Sequence, residues 1–388
     1  MSEQPEFIKD KVVLNDFFHI KGKHCETTSL MKVLNDMGYS YDEDFLFGLA
    51  GGIGFVNWYS KGMQNPFVGC RNGKFPDFLN KLCSRLQIEM ELTTTSSCNK
   101  SEKQVWELLL QGKPAIVYGN IAELPYFKSN SHFGQHAFVV YGIDYGKDTV
   151  YISDRGGKPQ TLSLDTYRTA HGMKCKPYPP NNAVITVHKV NADRVDLQQV
   201  VIESILETCN QMLQPPIRKF GLEGMRVWAE ELREFPSIHP DLPLISYLFQ
   251  TFIHIETAGT GGKGFRSMYS SYLSMARDIT GVEGLAEMSE RCKQSSELWR
   301  GISEALLNKQ DFGELSDLIL MKEELFMREG TVDCAEGEAL DRQIKDQISE
   351  ANQHLKRITE NLPYISLEIM KCFEAEKVLF EGLRQVLS

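Results

Sequence analysis

The sequence predicts an α+β domain, a helix plus an antiparallel sheet, over residues 1–190, followed by an all-α domain over residues 191–388. Three observations predict it. At 388 residues the chain exceeds the roughly 100–200 residues of one average domain. Up to about residue 190 short helical patterns alternate with β-rich runs, whereas beyond about 194 the apolar residues recur almost entirely at helical spacing. A lone helical start followed by runs that read as antiparallel strands is the pattern of an α+β domain.

Taken in order, residues 26–37 read as the first helix, because Leu30, Met31, Leu34 and Met37 recur at spacings of three and four before Gly38 stops them. Further helices are expected over 41–49, 75–86 and 102–111, the last ended by Gly112 and Pro114. Strands are expected over 87–93, 115–119, 136–143, 149–153 and 183–188, from their β-branched and aromatic content and the turn residues between them. Residues 142–148 read as a hairpin connection. In the second half, helices are expected over 195–213, 222–232, 244–255 and 268–279, punctuated by Pro215, Pro216 and Pro240. Residues 336–362, charged on one side and apolar on the other, read as one long helix ending before Pro363. The acids Asp42, Glu43 and Asp44 read as a solvated helix start.

Composition narrows the function. The apolar fraction of 42% and charged fraction of 24% are those of an ordinary globular chain. The net charge of −10, without clustered Lys and Arg, argues against nucleic acid as a partner. No run reaches the roughly 18–20 apolar residues of a membrane span, and the first residues lack the apolar stretch of a signal peptide, so a cytoplasmic protein without membrane contact is expected. Nine cysteines, at 25, 70, 83, 98, 175, 209, 292, 334 and 372, include no CxxC pair and suggest neither a disulfide framework nor a metal site. Most are therefore expected to be buried, inert thiols.

Cys25 is set apart by its neighbours. It follows the polar segment Lys21-Gly22-Lys23-His24 and begins the first helix, where unpaired N–H groups and the dipole favour a thiolate. His136 opens the strongly β-forming run from Ala137 to Ile143, so a base would be held on a rigid strand. The next strand runs directly into Asp154, which a hairpin would bring beside His136 to orient it. These residues supply a nucleophile, a base and an orienter. His132, the rival base, lies in the loop ahead of the strand, and His24 is expected to serve structure or substrate contact. The sequence Gly259-Thr260-Gly261-Gly262-Lys263-Gly264 satisfies GxGxxG formally but lacks the strand-turn-helix context of a dinucleotide site. It reads either as a helix C-cap and tight turn or, with Arg266, as a lining of the substrate channel.

The order and spacing of Cys25, His136 and Asp154 resemble the papain-like cysteine-peptidase fold. More closely, His24-Cys25-Glu26-Thr27-Thr28 followed by Phe45-Leu46-Phe47-Gly48-Leu49-Ala50-Gly51-Gly52-Ile53-Gly54-Phe55 is similar to the first domain of the butirosin-biosynthesis protein H family. The segment from Gly259 through Phe265 and Arg266 to Tyr269 resembles the helical domain that follows it. The resemblance implies acyl transfer in antibiotic biosynthesis: an acyl group carried as a thioester on an acyl or peptidyl carrier protein is passed through Cys25 to a small amine, forming an amide. It implies no cofactor held by the enzyme itself, phosphopantetheine arriving on the carrier. At the position six before the nucleophile, where papain-like peptidases carry an oxyanion-stabilising glutamine, this chain has His19, whose ring could donate instead. Gly261, Gly262 and Arg266 would line the acyl or pantetheine channel. An amidase or peptidase with the same residues, or a catalytically silent binding protein, are the competing readings.

Overall fold

The computed structural model describes residues 11–388 except 74, 130–131, 177 and 330–334. Its strands are β1 (Lys11–Val13), β2 (Ile53–Trp58), β3 (Phe67–Arg71), β4 (Ile88–Thr93), β5 (Ala115–Gly119), β6 (His136–Asp144), β7 (Thr149–Ser153), β8 (Gln160–Leu162) and β9 (Val184–Val190). Its helices are α1 (Cys25–Asp36), α2 (Glu43–Leu49), α3 (Asp77–Arg85), α4 (Cys98–Leu110), α5 (Leu164–Gly172), α6 (Leu197–Leu213), α7 (Gly221–Arg233), α8 (Phe235–Ile238), α9 (Leu244–Glu256), α10 (Arg266–Thr280), α11 (Gly284–Leu306), α12 (Lys309–Phe312), α13 (Leu315–Glu329), α14 (Ala335–Ala351) and α15 (Leu355–Val386). The fold is α+β, with an antiparallel sheet in the N-terminal region and a helical C-terminal region, consistent with a papain-like fold. Among the described residues no helix is long and apolar enough to cross a membrane.

The chain forms two compact units that interleave in sequence: Met1–Glu43, Leu79–Arg194 and Glu324–Gly337 make the first, and Asp44–Phe78, Val195–Glu323 and Glu338–Ser388 the second. The first unit is built on a seven-stranded sheet in the order β4-β9-β5-β6-β7-β8, with β1 also paired to β6. Every pairing is antiparallel. All nine residues of β6 are buried, because β5, β7 and β1 flank it and α1 packs on its face. A central strand buried on both faces reads as a nearly continuous apolar run, which is what Ala137 to Ile143 is.

The second unit holds the β2–β3 hairpin and most of the helices. Its core is aromatic: Trp228 stacks on Trp299 at 6.2 Å between ring centroids, and Phe235 stacks on Tyr247 at 4.7 Å. The single helix expected over 336–362 is instead two, α14 and α15, separated by a 3-10 turn at Asn352–His354. Pro363 lies inside α15 and does not end it. Pro363 is exposed, so water can satisfy the carbonyl one turn back that loses its N–H partner, and the helix continues.

Candidate functional site

Cys25 is the first residue of α1, and the chain leading to it is fixed from two sides. On one side the Glu43 carboxylate accepts from the backbone N–H groups of Lys23 (2.8 Å) and His24 (2.9 Å) and from the hydroxyls of Thr27 (3.0 Å) and Thr28 (2.7 Å). A carboxylate there complements the positive end of the helix dipole and satisfies donors outside the helical ladder. This corrects the solvated reading for Glu43 and Asp44, which are buried, whereas Asp42 is exposed as expected. On the other side Arg155 donates from Nη1 to the Lys23 carbonyl at 3.1 Å and accepts at its own carbonyl from Gly22 N–H at 2.9 Å. A Cβ at Gly22 would stand 2.2 Å from Thr28 Oγ1, so only glycine allows this approach. His24 caps the helix, its ring accepting from Thr27 N–H.

The hairpin of β6 and β7 supplies the partners. Val139 pairs with Ser153, so Asp154, the first residue after β7, lies within reach of His136 at the start of β6. His136 Nε2 donates to Asp154 Oδ2 at 2.7 Å, and the ring is in hydrogen-bond contact with the Cys25 thiol. Nε2 is engaged by the carboxylate, which leaves Nδ1 as the nitrogen available to the sulfur. Asp154 also accepts from Tyr126 Oη at 2.8 Å and, through Oδ1, from Arg155 N–H at 2.6 Å. Both His136 and Asp154 are buried, and Cys25 is half-buried.

The electrostatics follow from this packing. Burial alone would depress the His136 imidazole, but the Asp154 charge and its hydrogen bond, together with the Cys25 contact, outweigh it and raise the group from 6.5 to about 9. For Asp154 burial works in the opposite direction, yet His136 and Arg155 hold the carboxyl below its ordinary value. Burial, reinforced by Asp154, keeps Tyr126 protonated as a donor. Burial pushes up the thiols of Cys70, Cys83, Cys98, Cys175, Cys209, Cys292 and Cys372, those of Cys70, Cys83 and Cys209 to about 12. Cys334 lies outside the described residues.

An aromatic layer covers the pair. Phe127 meets the His136 ring edge-on at 4.8 Å, Phe326 stacks on Phe127 at 5.0 Å and on Tyr126 at 6.0 Å, and the Arg155 guanidinium lies over Phe326 at 5.1 Å. Such a layer lowers the local dielectric and strengthens the interactions beneath it.

His19 lies half-buried between Phe17 and Tyr141, with Nδ1 2.9 Å from Ser153 Oγ. Lys32 Nζ donates to the same Oγ at 2.8 Å and to the Asp154 carbonyl. His132 is exposed, and its ring bonds to Asn120 at 3.0 Å.

The structure thus brings Cys25, His136 and Asp154 together and links His19 to them through Ser153. Arg266 departs from the expected channel lining. It is fully buried in the second unit, with Nε and Nη2 on the two carboxylate oxygens of Glu376 (2.7 and 2.9 Å) and Nη1 on the carbonyls of Gly264 and Cys70. Its planar fork is spent on a carboxylate of the protein itself. Gly261 and Gly262 belong to a turn after α9 in which both have positive φ, and Thr260 Oγ1 accepts from Gly262 N–H. The turn is held by its own backbone, the tight-turn alternative of the sequence reading.

Sequence reasoning missed Glu43, Lys32, Tyr126 and Phe326. Lys32 carries the one readable signal: a lysine seven residues after Cys25 lies on the same helix face as the cysteine.

Residues 24–155 match the family Butirosin biosynthesis protein H, N-terminal, and residues 165–325 match a domain of unknown function (DUF4872). No curated protein sequence matches the chain. These two matches in succession give the chain a butirosin biosynthesis protein H-like two-domain architecture.

Proposed function

We propose that the chain is a cysteine-nucleophile acyltransferase that passes an acyl group from a carrier-protein thioester through Cys25 to a small amine, forming an amide. The observation that carries this reading is the contact chain Cys25, His136, Asp154, in which the ring that meets the thiol has its Nε2 on an ionised carboxylate. The family's name, with its reference to the biosynthesis of butirosin, supports a role in antibiotic assembly.

In this reading Cys25 Sγ attacks the thioester carbonyl with its proton already held on His136 Nδ1. The carrier's phosphopantetheine sulfur leaves and takes that proton, and the acyl group stays on Cys25. The amine then attacks the acyl-cysteine, His136 Nδ1 accepts the amine's proton, and the Cys25 sulfur leaves to recover it, completing the amide. Asp154, held by Tyr126 and Arg155, keeps the ring oriented throughout. The aromatic layer of Phe127 and Phe326 favours the amine over water as acceptor by keeping the base dry. His19 would hold the oxygen of the tetrahedral intermediate together with the backbone N–H of Cys25. The test is amide formation from a loaded carrier and an amine by the Cys25→Ala variant. Loss of turnover is expected, and undiminished amide formation would reject the proposal.

A further inference from the structure

The transfer steps make no use of Lys32, a cation only 1% exposed beside the candidate centre. An ammonium carries donors and no acceptor, so Ser153 Oγ must accept from Lys32 Nζ, and the serine's own proton has to point elsewhere. Ser153 is fully buried, and the other partner of its hydroxyl among the described residues is His19 Nδ1 at 2.9 Å. A proton directed at Nδ1 requires that nitrogen to be bare. The ring proton of His19 then sits on Nε2.

We propose that Lys32 is a positioning residue that acts through Ser153 to lock His19 in the neutral Nε2–H tautomer, so that the ring presents one fixed donor at the oxyanion position. The proposal rests on the reading of His19 as the oxyanion donor. Three further observations support it. Burial, and then the charge of Lys32, lowers the His19 pKa from 6.5 and keeps the ring neutral. Edge-on contacts with Phe17 at 5.5 Å and Tyr141 at 5.0 Å fix the ring plane. Lys32 also donates to the Asp154 carbonyl, so one ammonium ties α1, which carries Cys25, to Ser153 and Asp154 at the end of β7. Burial lowers Lys32 to about 8 against the charges of Asp154 and Glu43, which leaves it protonated near neutral pH.

The experiment is a long-range proton–nitrogen correlation spectrum of the full chain labelled with ¹⁵N-histidine at pH 7, with His19 assigned by its disappearance in His19→Gln. The wild type should show the proton on Nε2 and a bare Nδ1. Lys32→Met and Ser153→Ala should each give mixed tautomers, and Lys32→Arg should restore the Nε2–H form. In parallel, Lys32→Met should lower kcat for amide formation roughly 10-fold to 100-fold with KM little changed, short of the ~10²–10³-fold cost of losing an oxyanion donor outright. An Nδ1–H ring in the wild type, or a wild-type tautomer surviving in Lys32→Met, would overturn the proposal. If Lys32→Met fails to fold, the wild-type and Ser153→Ala spectra decide it. The expected tautomers with undiminished turnover in His19→Ala would uphold the relay and overturn the oxyanion role alone.

Discussion

His136 Nε2 lies 2.7 Å from Asp154 Oδ2, and the carboxylate is itself held by Tyr126 and by the backbone of Arg155. An ionised carboxylate can only accept, so this contact fixes the imidazole with Nε2–H toward Asp154 and Nδ1 toward Cys25.

Replacing that carboxylate by an amide should therefore damage chemistry more than structure. Asp154→Asn retains the shape but offers the ring a donor as readily as an acceptor, so the wrong tautomer is populated. A fall of about 10³–10⁴-fold in kcat is expected, of the size such a change costs in a serine triad. Single-turnover acylation measured on a folded variant checks it.

The raised pKa of His136 also makes stability depend on pH. A group whose folded pKa (about 9) exceeds its unfolded value of 6.5 contributes stability that is complete below the lower value and lost as pH rises through the higher. In a Cys25→Ala background, where no thiol titrates at the site, urea unfolding between pH 6.5 and 8 should show a loss of about 1 kcal/mol with rising pH. The same slope should be missing when Asp154→Asn is added. The window stops at 8 because Lys32 titrates near there.

Glu43 anchors the start of α1 through two backbone N–H groups and two hydroxyls. Glu43→Ala removes the acceptor these four donors share and should cost about 3 kcal/mol in urea unfolding, with Glu43→Gln milder. A change below 0.5 kcal/mol would contradict this account of how Cys25 is held.

Arg266 and Glu376 form a fully buried, bidentate pair. Arg266→Met alone leaves a buried carboxylate unpaired and should destabilise by about 3–5 kcal/mol. The double variant Arg266→Met with Glu376→Leu should recover part of that loss, although Ser295 and Trp299 lose their acceptor. Thermal unfolding of the two variants measures the difference.

The contrast between His136 and Arg266 shows what the sequence could convey. β5 and β7 match their expected bounds residue for residue, because compact β-branched runs between turn residues are local signals. The meeting of His136 and Asp154 needed only a hairpin, the shortest-range tertiary feature, and was legible for that reason. Arg266 was not, since a guanidinium that binds a substrate and one that binds Glu376, 110 residues away, look identical in sequence. Glu43 was misread in the same way: acids at a helix start are usually hydrated, and only the fold brings the loop before α1 onto this one. The strands β2 and β3 escaped notice because their pairing is specified by packing within the second unit and not by strong alternation. Pro363 was read as a stop, which holds where the freed carbonyl is buried but not on the exposed face of α15.

Transfer through a covalent intermediate requires that Cys25 carry the acyl group. Intact-protein and peptide mass spectrometry after brief incubation with an acyl-loaded carrier protein, without amine, tests it most directly. The expected result is a mass increase equal to the acyl group, mapped to Cys25 and discharged as amide when amine is added. An unmodified Cys25 alongside amide formation, or acylation mapped to another residue, would contradict it.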